Sequence, residues 1–274
     1  MIVACAQYAL RDLDPQTNLE RSVRAIREAA DIGANLVVLP ELANSGCDFS
    51  SREQALELAE EVGETGENPD PTLRAWREAA EESGVFIVGG FLEREGGSLY
   101  NSAAVTGSGF FGRYRKTHLW DGEKLLYEAG RDLPVFDTSL GKIGVLICYD
   151  LWFPEAARTP ALRGADLLCV PANAPNDWVP EGQRRGNLTM LNVHAISHAN
   201  ANRLFVACAN RVGGSYLGRS CVVDPTGGVL AFGSVAEEEL ISAEIDVERS
   251  FREKRLTERS HAFEDRNAEA YEAF

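Results

Sequence analysis

Two hydrophobic periods take turns along this chain. Short, almost wholly apolar runs bounded by glycine, proline or asparagine alternate with longer stretches whose apolar residues recur every three or four positions. The runs Ile2–Tyr8, Asn35–Leu39, Val85–Phe91, Asn101–Thr106, Phe110–Tyr114, Lys142–Cys148, Asp166–Val170, Phe205–Asn210, Cys221–Val223, Val229–Phe232 and Leu240–Ile245 read as strands. Helical periodicity marks Pro15–Gly33, then about 51–62, 70–83, 154–163 and 187–202. In the first of these, Leu19, Val23, Ile26 and Ala30 share one face, and Gly33 closes the helix. The last 28 residues are charged and end in a tail.

Strands interleaved with helices predict sheets covered by helices. The adjacent strands at 85–114 and 204–245 argue against a purely parallel, doubly wound sheet. Mixed sheets stacked face to face, with helices outside, satisfy both patterns. An internal echo supports this parse: Gly33-Ala-Asn-Leu-Val-Val-Leu-Pro40 resembles Gly164-Ala-Asp-Leu-Leu-Cys-Val-Pro171, each behind a strand and a helix. Two such units suggest a pseudo-symmetric fold in which each half lends an element to the site.

With 274 residues and no low-complexity linker, one domain spanning 1–274 is expected. The six cysteines form no C-x-x-C pair, which argues against a zinc site or a disulfide framework and for a reduced, cytoplasmic setting. The N-terminal segment does not read as a signal peptide, and no apolar stretch is long enough to span a bilayer. A net charge of −15 argues against nucleic acid or an anionic membrane as a partner. The chain has 23 arginines but only four lysines, so a lysine beside a candidate site is informative.

Three segments carry candidate chemistry. Glu41 follows the apolar run Leu36–Leu39 and Pro40, where a partly desolvated carboxylate can act as a base. Lys116, in Gly112-Arg-Tyr-Arg-Lys116-Thr-His118, can supply a fixed cation beside developing negative charge. Cys148 ends its apolar run and opens the polar-aromatic turn Tyr149-Asp-Leu-Trp-Phe-Pro-Glu155, which suits a nucleophile better than a core thiol.

Together these segments resemble the nitrilase superfamily of carbon–nitrogen hydrolases. The order Glu, Lys, Cys and the separations of 75 and 32 residues match that family's pattern, over nearly the whole chain. The resemblance implies a four-layer α-β-β-α sandwich and a Glu41, Lys116, Cys148 triad that works without metal or cofactor. It also implies a homodimer or higher homo-oligomer, with the tail at about 247–274 expected in subunit contacts. The implied reaction starts when Glu41 takes the Cys148 proton and the thiolate attacks an amide carbon. The Lys116 ammonium and the Tyr149 backbone N–H hold the oxyanion, and a thioester is hydrolysed by water that Glu41 activates. Glu123, in Glu123-Lys-Leu-Leu-Tyr-Glu-Ala-Gly130, is implied as a second glutamate that orients substrate and Lys116, with Glu128 as its rival.

Tyr149-Asp150 after the nucleophile resembles amidases and carbamoylases more than nitrilases proper. Leu151 and Trp152 stand where carbamoylases of amino-acid derivatives often carry arginine, which disfavours a carboxylated substrate, although Arg184 and Arg185 could supply such a charge. Hydrolysis of a small non-peptide amide to acid and ammonia is therefore the first expectation. An N-carbamoyl amidohydrolase, an aliphatic nitrilase or an inactive binding protein are the alternatives. Tyr149, Trp152, Asn173, Ala174 and Trp178 are candidate pocket-wall residues.

Other motifs yield bland readings. Gly107-Ser-Gly-Phe-Phe-Gly112 has the dinucleotide spacing, but strand-like residues follow it, so a β-turn is expected. His194 and His198 have i, i+4 spacing but no third ligand. No Gly-x-Ser-x-Gly elbow is present.

Overall fold

The computed structural model describes residues 1–63, 70–175 and 188–271. Its elements in chain order are β1 (Ile2–Gln7), α1 (Pro15–Asp31), β2 (Leu36–Val38), α2 (Arg52–Leu58), α3 (Pro71–Ser83), β3 (Phe86–Glu95), β4 (Ser98–Gly107) and β5 (Phe110–Arg115). The second half holds α4 (Glu123–Leu126), β6 (Val135–Thr138), β7 (Gly141–Val145), a 3-10 turn (Cys148–Trp152), α5 (Pro154–Leu162), β8 (Leu167–Ala172), α6 (Met190–Asn202) and β9 (Phe205–Asn210). A short hairpin, β10 (Val212–Gly213) and β11 (Tyr216–Leu217), precedes β12 (Cys221–Val223), β13 (Val229–Phe232) and β14 (Glu239–Glu244). A short helix and a hairpin (Arg255–Thr257 with Ser260–His261) follow.

Two six-stranded mixed sheets result, ordered β14-β1-β2-β3-β4-β5 and β13-β12-β9-β8-β7-β6. Each has three parallel central strands, β1-β2-β3 and β7-β8-β9, flanked by antiparallel ones. The echo is therefore structural: β2 and β8 hold equivalent central places.

The central runs are continuously apolar because they are buried on both faces. Along β1, Val3 and Cys5 join the core between the sheets, while Ala4 and Ala6 join a second core with Ala25, Ile26 and Ala29 of α1 and Leu73, Trp76 and Ala80 of α3. On the other side, α5 and α6 lay Ala156, Ala157, Ala161, Leu191, Ala195 and Ala199 on the second sheet. The layers are helix, sheet, sheet, helix, as the sequence predicts.

Helix ends follow their local chemistry. Asp14 caps α1 through the Thr17 N–H at 3.0 Å, with Pro15 in the first turn, and Gly84 ends α3 with φ +72°. Sequence reading misses β6, the 212–217 hairpin, α4 and the C-terminal hairpin. The Gly107–Gly112 motif is the β4–β5 turn, with Gly109 at φ +67°.

Candidate active site

Glu41 sits just past the C-terminal end of β2, and the sheet comes unusually close to it. A side chain at Gly90 of β3 would place its Cβ 2.5 Å from the Glu41 Cα and 2.7 Å from the Leu42 N. Gly90 N–H donates to the Pro40 carbonyl at 3.1 Å, and the Gly90 carbonyl accepts from Ala43 N–H at 2.8 Å. The backbone turns sharply here, with Leu42 at φ +49°. Glu41 is thereby pressed into the interior, 3% exposed.

Lys116 follows β5. Its N–H donates to the Asn101 carbonyl and its own carbonyl accepts from Gly130 N–H, both at 2.8 Å. Gly130 is required there, since a Cβ would lie 2.1 Å from the Arg115 carbonyl oxygen. The Lys116 ammonium, also buried, donates to Glu41 Oε1 at 2.7 Å and to Glu123 Oε1 and Oε2 at 3.0 and 2.8 Å. Burial alone would lower the ammonium's pKa. The Glu41 and Glu123 charges outweigh it and hold it well above the lysine range. Glu123 shifts up as well, because burial and the Glu41 charge together exceed the pull of Lys116. Glu123, at the start of α4, also accepts from Trp120 N–H at 2.6 Å. The rival Glu128 points elsewhere, to the Ser98 hydroxyl at 2.6 Å.

Cys148 does not prolong the strand. β7 ends at Val145, and Cys148 opens the 3-10 turn with φ +44°, a conformation an L-residue adopts only under strong constraint. Asp150, fully buried, supplies that constraint. Its Oδ2 accepts from Ile147 N–H at 2.8 Å and from the Tyr114 hydroxyl at 2.6 Å. Its Oδ1 accepts from the Thr117 hydroxyl at 3.0 Å and His118 N–H at 2.9 Å, with His118 Nδ1 at 2.8 Å. One carboxylate so ties the Cys148 turn to the segment that carries Lys116. The Cys148 thiol is pushed well up, first by burial and then by the Glu41 charge, against the opposing pull of Lys116 and the Asn173 N–H. It keeps its proton near neutral pH and needs a base to lose it.

Asn173, just past β8, closes the arrangement. Its backbone N–H donates to Glu41 Oε2 and its Nδ2 to the Glu41 carbonyl, each at 2.8 Å. Glu41, Lys116, Glu123, Cys148 and Asn173 share one cavity of about 520 Å³, with Phe49, Trp120, Tyr127 and Tyr216 among its walls. Tyr149, Trp152 and Ala174 are not among the residues that line it. Tyr149 packs its ring on Trp120 and Phe153, Trp152 lies 4.9 Å from the His194 ring, and Ala174 N–H donates to Asn210 Oδ1. Trp178, Arg184 and Arg185 lie outside the described residues. Asn101, which sequence reading does not single out, donates from Nδ2 to both Glu41 Oε1 (2.7 Å) and Glu123 Oε1 (2.8 Å). A polar residue inside an apolar strand was the signal for it. His198 hydrogen-bonds the Leu151 carbonyl at 2.7 Å, and among the described residues no cluster suited to a metal is found.

A buried carboxylate, ammonium and thiol at the floor of one cavity can perform nucleophilic acyl transfer. Known proteins agree. The carbon-nitrogen hydrolase family model matches residues 2–252. A nitrilase of Pyrococcus abyssi is 39% identical over 98% of each chain, and an N-carbamoylputrescine amidase of Solanum tuberosum is 31% identical over 90% of this chain and 86% of its own. Among solved structures, a variant of the amidase from Nesterenkonia sp. AN1, with acrylamide added to its active-site cysteine, superposes with TM-score 0.77 at 26% identity, covering 98% of both chains. The fold, the site and these likenesses converge: the chain belongs to the carbon–nitrogen hydrolases of the nitrilase superfamily, enzymes that act on non-peptide carbon–nitrogen bonds.

Proposed function

We propose that the chain is an amidase that hydrolyses a small non-peptide amide to a carboxylic acid and ammonia. The observation that carries this reading is the convergence of Cys148, Glu41 and Lys116 on one cavity floor. Glu41 takes the thiol proton as sulfur attacks the carbonyl carbon, so charge develops on the carbonyl oxygen rather than on a free thiolate. The Lys116 ammonium and the Tyr149 backbone N–H stabilise that oxygen. The proton passes from Glu41 to the leaving nitrogen, ammonia departs, and a Cys148 thioester remains. Glu41 then removes a proton from water, which cleaves the thioester and restores the thiol. Glu123 holds Lys116 in place through two contacts.

Among the described residues, no arginine lines the cavity, while Asp48 and Asp121 do. This favours an uncharged acyl group over a carboxylated one. The likeness to the N-carbamoylputrescine amidase supports a second reading, hydrolysis of an N-carbamoyl amine. A homo-oligomer remains part of the proposal, supported by the exposed Phe251, Leu256 and Tyr271 of the C-terminal segment. Sedimentation velocity tests it.

Cys148→Ala tests the chemistry. We expect ammonia release to vanish while the melting temperature stays near that of the parent protein; retained turnover overturns the reading. A panel of amides, nitriles and N-carbamoyl compounds, scored for ammonia and carbon dioxide, separates the subclasses. Carbon dioxide release selects the carbamoyl reading, and turnover of nitriles alone excludes both.

A further inference from the structure

We infer that Asn101 is a positioning residue that selects which oxygen of Glu41 receives the Cys148 proton. The inference rests on the reading of Glu41 as the base. Asn101 is a fully buried residue of β4. Its amide nitrogen has two N–H groups and spends one on Glu41 Oε1 at 2.7 Å and the other on Glu123 Oε1 at 2.8 Å. The flipped amide would aim a carbonyl oxygen at two carboxylates, so this orientation is the one electrostatics permits. It leaves Oδ1 without a hydrogen-bond partner among the described residues. A buried orphan acceptor is tolerated where the opposite end of the group does something the site needs.

Lone pairs on Glu41 show what that is. Oε1 accepts from both Lys116 Nζ and Asn101 Nδ2, which fills its two acceptor directions. Among the described residues, Oε2 accepts only Asn173 N–H, at 2.8 Å. The free acceptor direction of the carboxylate is therefore on Oε2. Glu41, Asn173 and Cys148 line the same cavity. Without Asn101, Oε1 regains an open acceptor position, and the proton is no longer directed to Oε2. Glu123 also loses a donor, so it holds a proton to higher pH. The titratable or charged groups acting on Glu41 and Glu123 are Lys116, Cys148, Tyr127, Cys47 and Cys208.

The experiment follows carboxamidomethylation of Cys148 by iodoacetamide against pH, by mass spectrometry, in the full chain and in Asn101→Leu and Asn101→Asp. Hydrolysis of the best amide of the panel is measured beside it. For Asn101→Leu we expect the acid limb of alkylation to move up by about one pH unit. We expect kcat to fall about 10²-fold with KM changed little. Asn101→Asp keeps the shape, adds a third carboxylate and should move the limb further up; it decides the question if the leucine variant does not fold. An unmoved limb and an unchanged kcat in a folded variant overturn the inference, and so does loss of folding in both variants, which would assign Asn101 to the core. Failure of the Glu41 and Cys148 reading shows separately, as retained turnover in Cys148→Ala.

Discussion

Lys116→Met removes the one ammonium that both glutamates share, and its effect on stability should depend on pH. In the folded chain Nζ lies 2.7 Å from Glu41 and 2.8 Å from Glu123, with Lys116 and Glu41 both almost fully buried. Removing one partner of a buried ion pair costs about 3–5 kcal/mol, because the remaining charge stays desolvated. At about 2.1 cal/mol/K per residue, unfolding entropy for a chain of 274 residues is about 0.6 kcal/mol/K. The expected fall in melting temperature at pH 8 is then about 5–9 °C.

Glu123 gives this loss its sign in pH. Its folded-state value is raised, by burial first. A raised carboxyl favours the folded state below its unfolded value, and that contribution disappears as pH climbs through the folded value. Lys116 is the main influence drawing Glu123 down, so in Lys116→Met the folded value climbs further and the window between about pH 5 and neutrality becomes steeper. Lys116 itself, raised, stays charged throughout that window and adds no slope in the parent protein. Differential scanning fluorimetry from pH 5 to pH 8 should show the variant approaching the parent at the acid end. A pH-independent deficit, or one under about 2 °C at pH 8, would refute the shared-ammonium account.

Two further substitutions probe how the site is held. Gly90→Ala drives a methyl into the backbone of Glu41 and Leu42; kcat should fall about 10²-fold with a stability loss of about 1–3 kcal/mol, read by steady-state kinetics and urea melts. Asp150→Asn turns an amide toward donors that now meet carboxylate oxygens; thermal melts should show a loss of about 2–4 kcal/mol, and kcat should drop because Cys148 is no longer held at positive φ. An Asp150→Asn enzyme with parental kcat would show that the turn holds its shape without that carboxylate.

How far the sequence could be read follows from the physics of each residue. Strands buried on both faces, such as Leu36–Val38 and Leu167–Ala172, declare themselves as unbroken apolar runs. β6 hides because it is a half-exposed edge strand, and β10 and β11 because two residues carry no period. Glu41 and Cys148 stand out as polar or reactive groups at the ends of apolar runs, and Lys116 as one of only four lysines. For Tyr149 and Trp152, adjacency to Cys148 does not say which way a side chain faces. In a 3-10 turn, residues three apart share a side. Cys148 and Leu151 accordingly face inward, while Tyr149 and Trp152 are more exposed, their rings tilted against each other with centroids 6.1 Å apart. Asn101 escapes because one amide in a strand looks like any buried polar residue until both its carboxylate partners, 60 and 22 positions away, are in place.

The internal echo also explains why the site is asymmetric. Pro40 lies just past β2 and Pro171 in the last two residues of β8, equivalent central strands of the two sheets, and the chain past each reaches the same cavity. Behind Pro40 comes Glu41; behind Pro171 come Ala172 and Asn173. A second carboxylate at the latter place would add another negative charge beside Cys148, whose thiol is already held up by burial and by Glu41. The second half instead offers an N–H, which acts on Cys148 and binds Glu41 Oε2 at 2.8 Å. In the proposed mechanism one half thus supplies the proton acceptor, and the other supplies the thiol together with the N–H bound to that acceptor. A symmetric pair of carboxylates could not do both, since each would raise the proton affinity of the group it is meant to deprotonate.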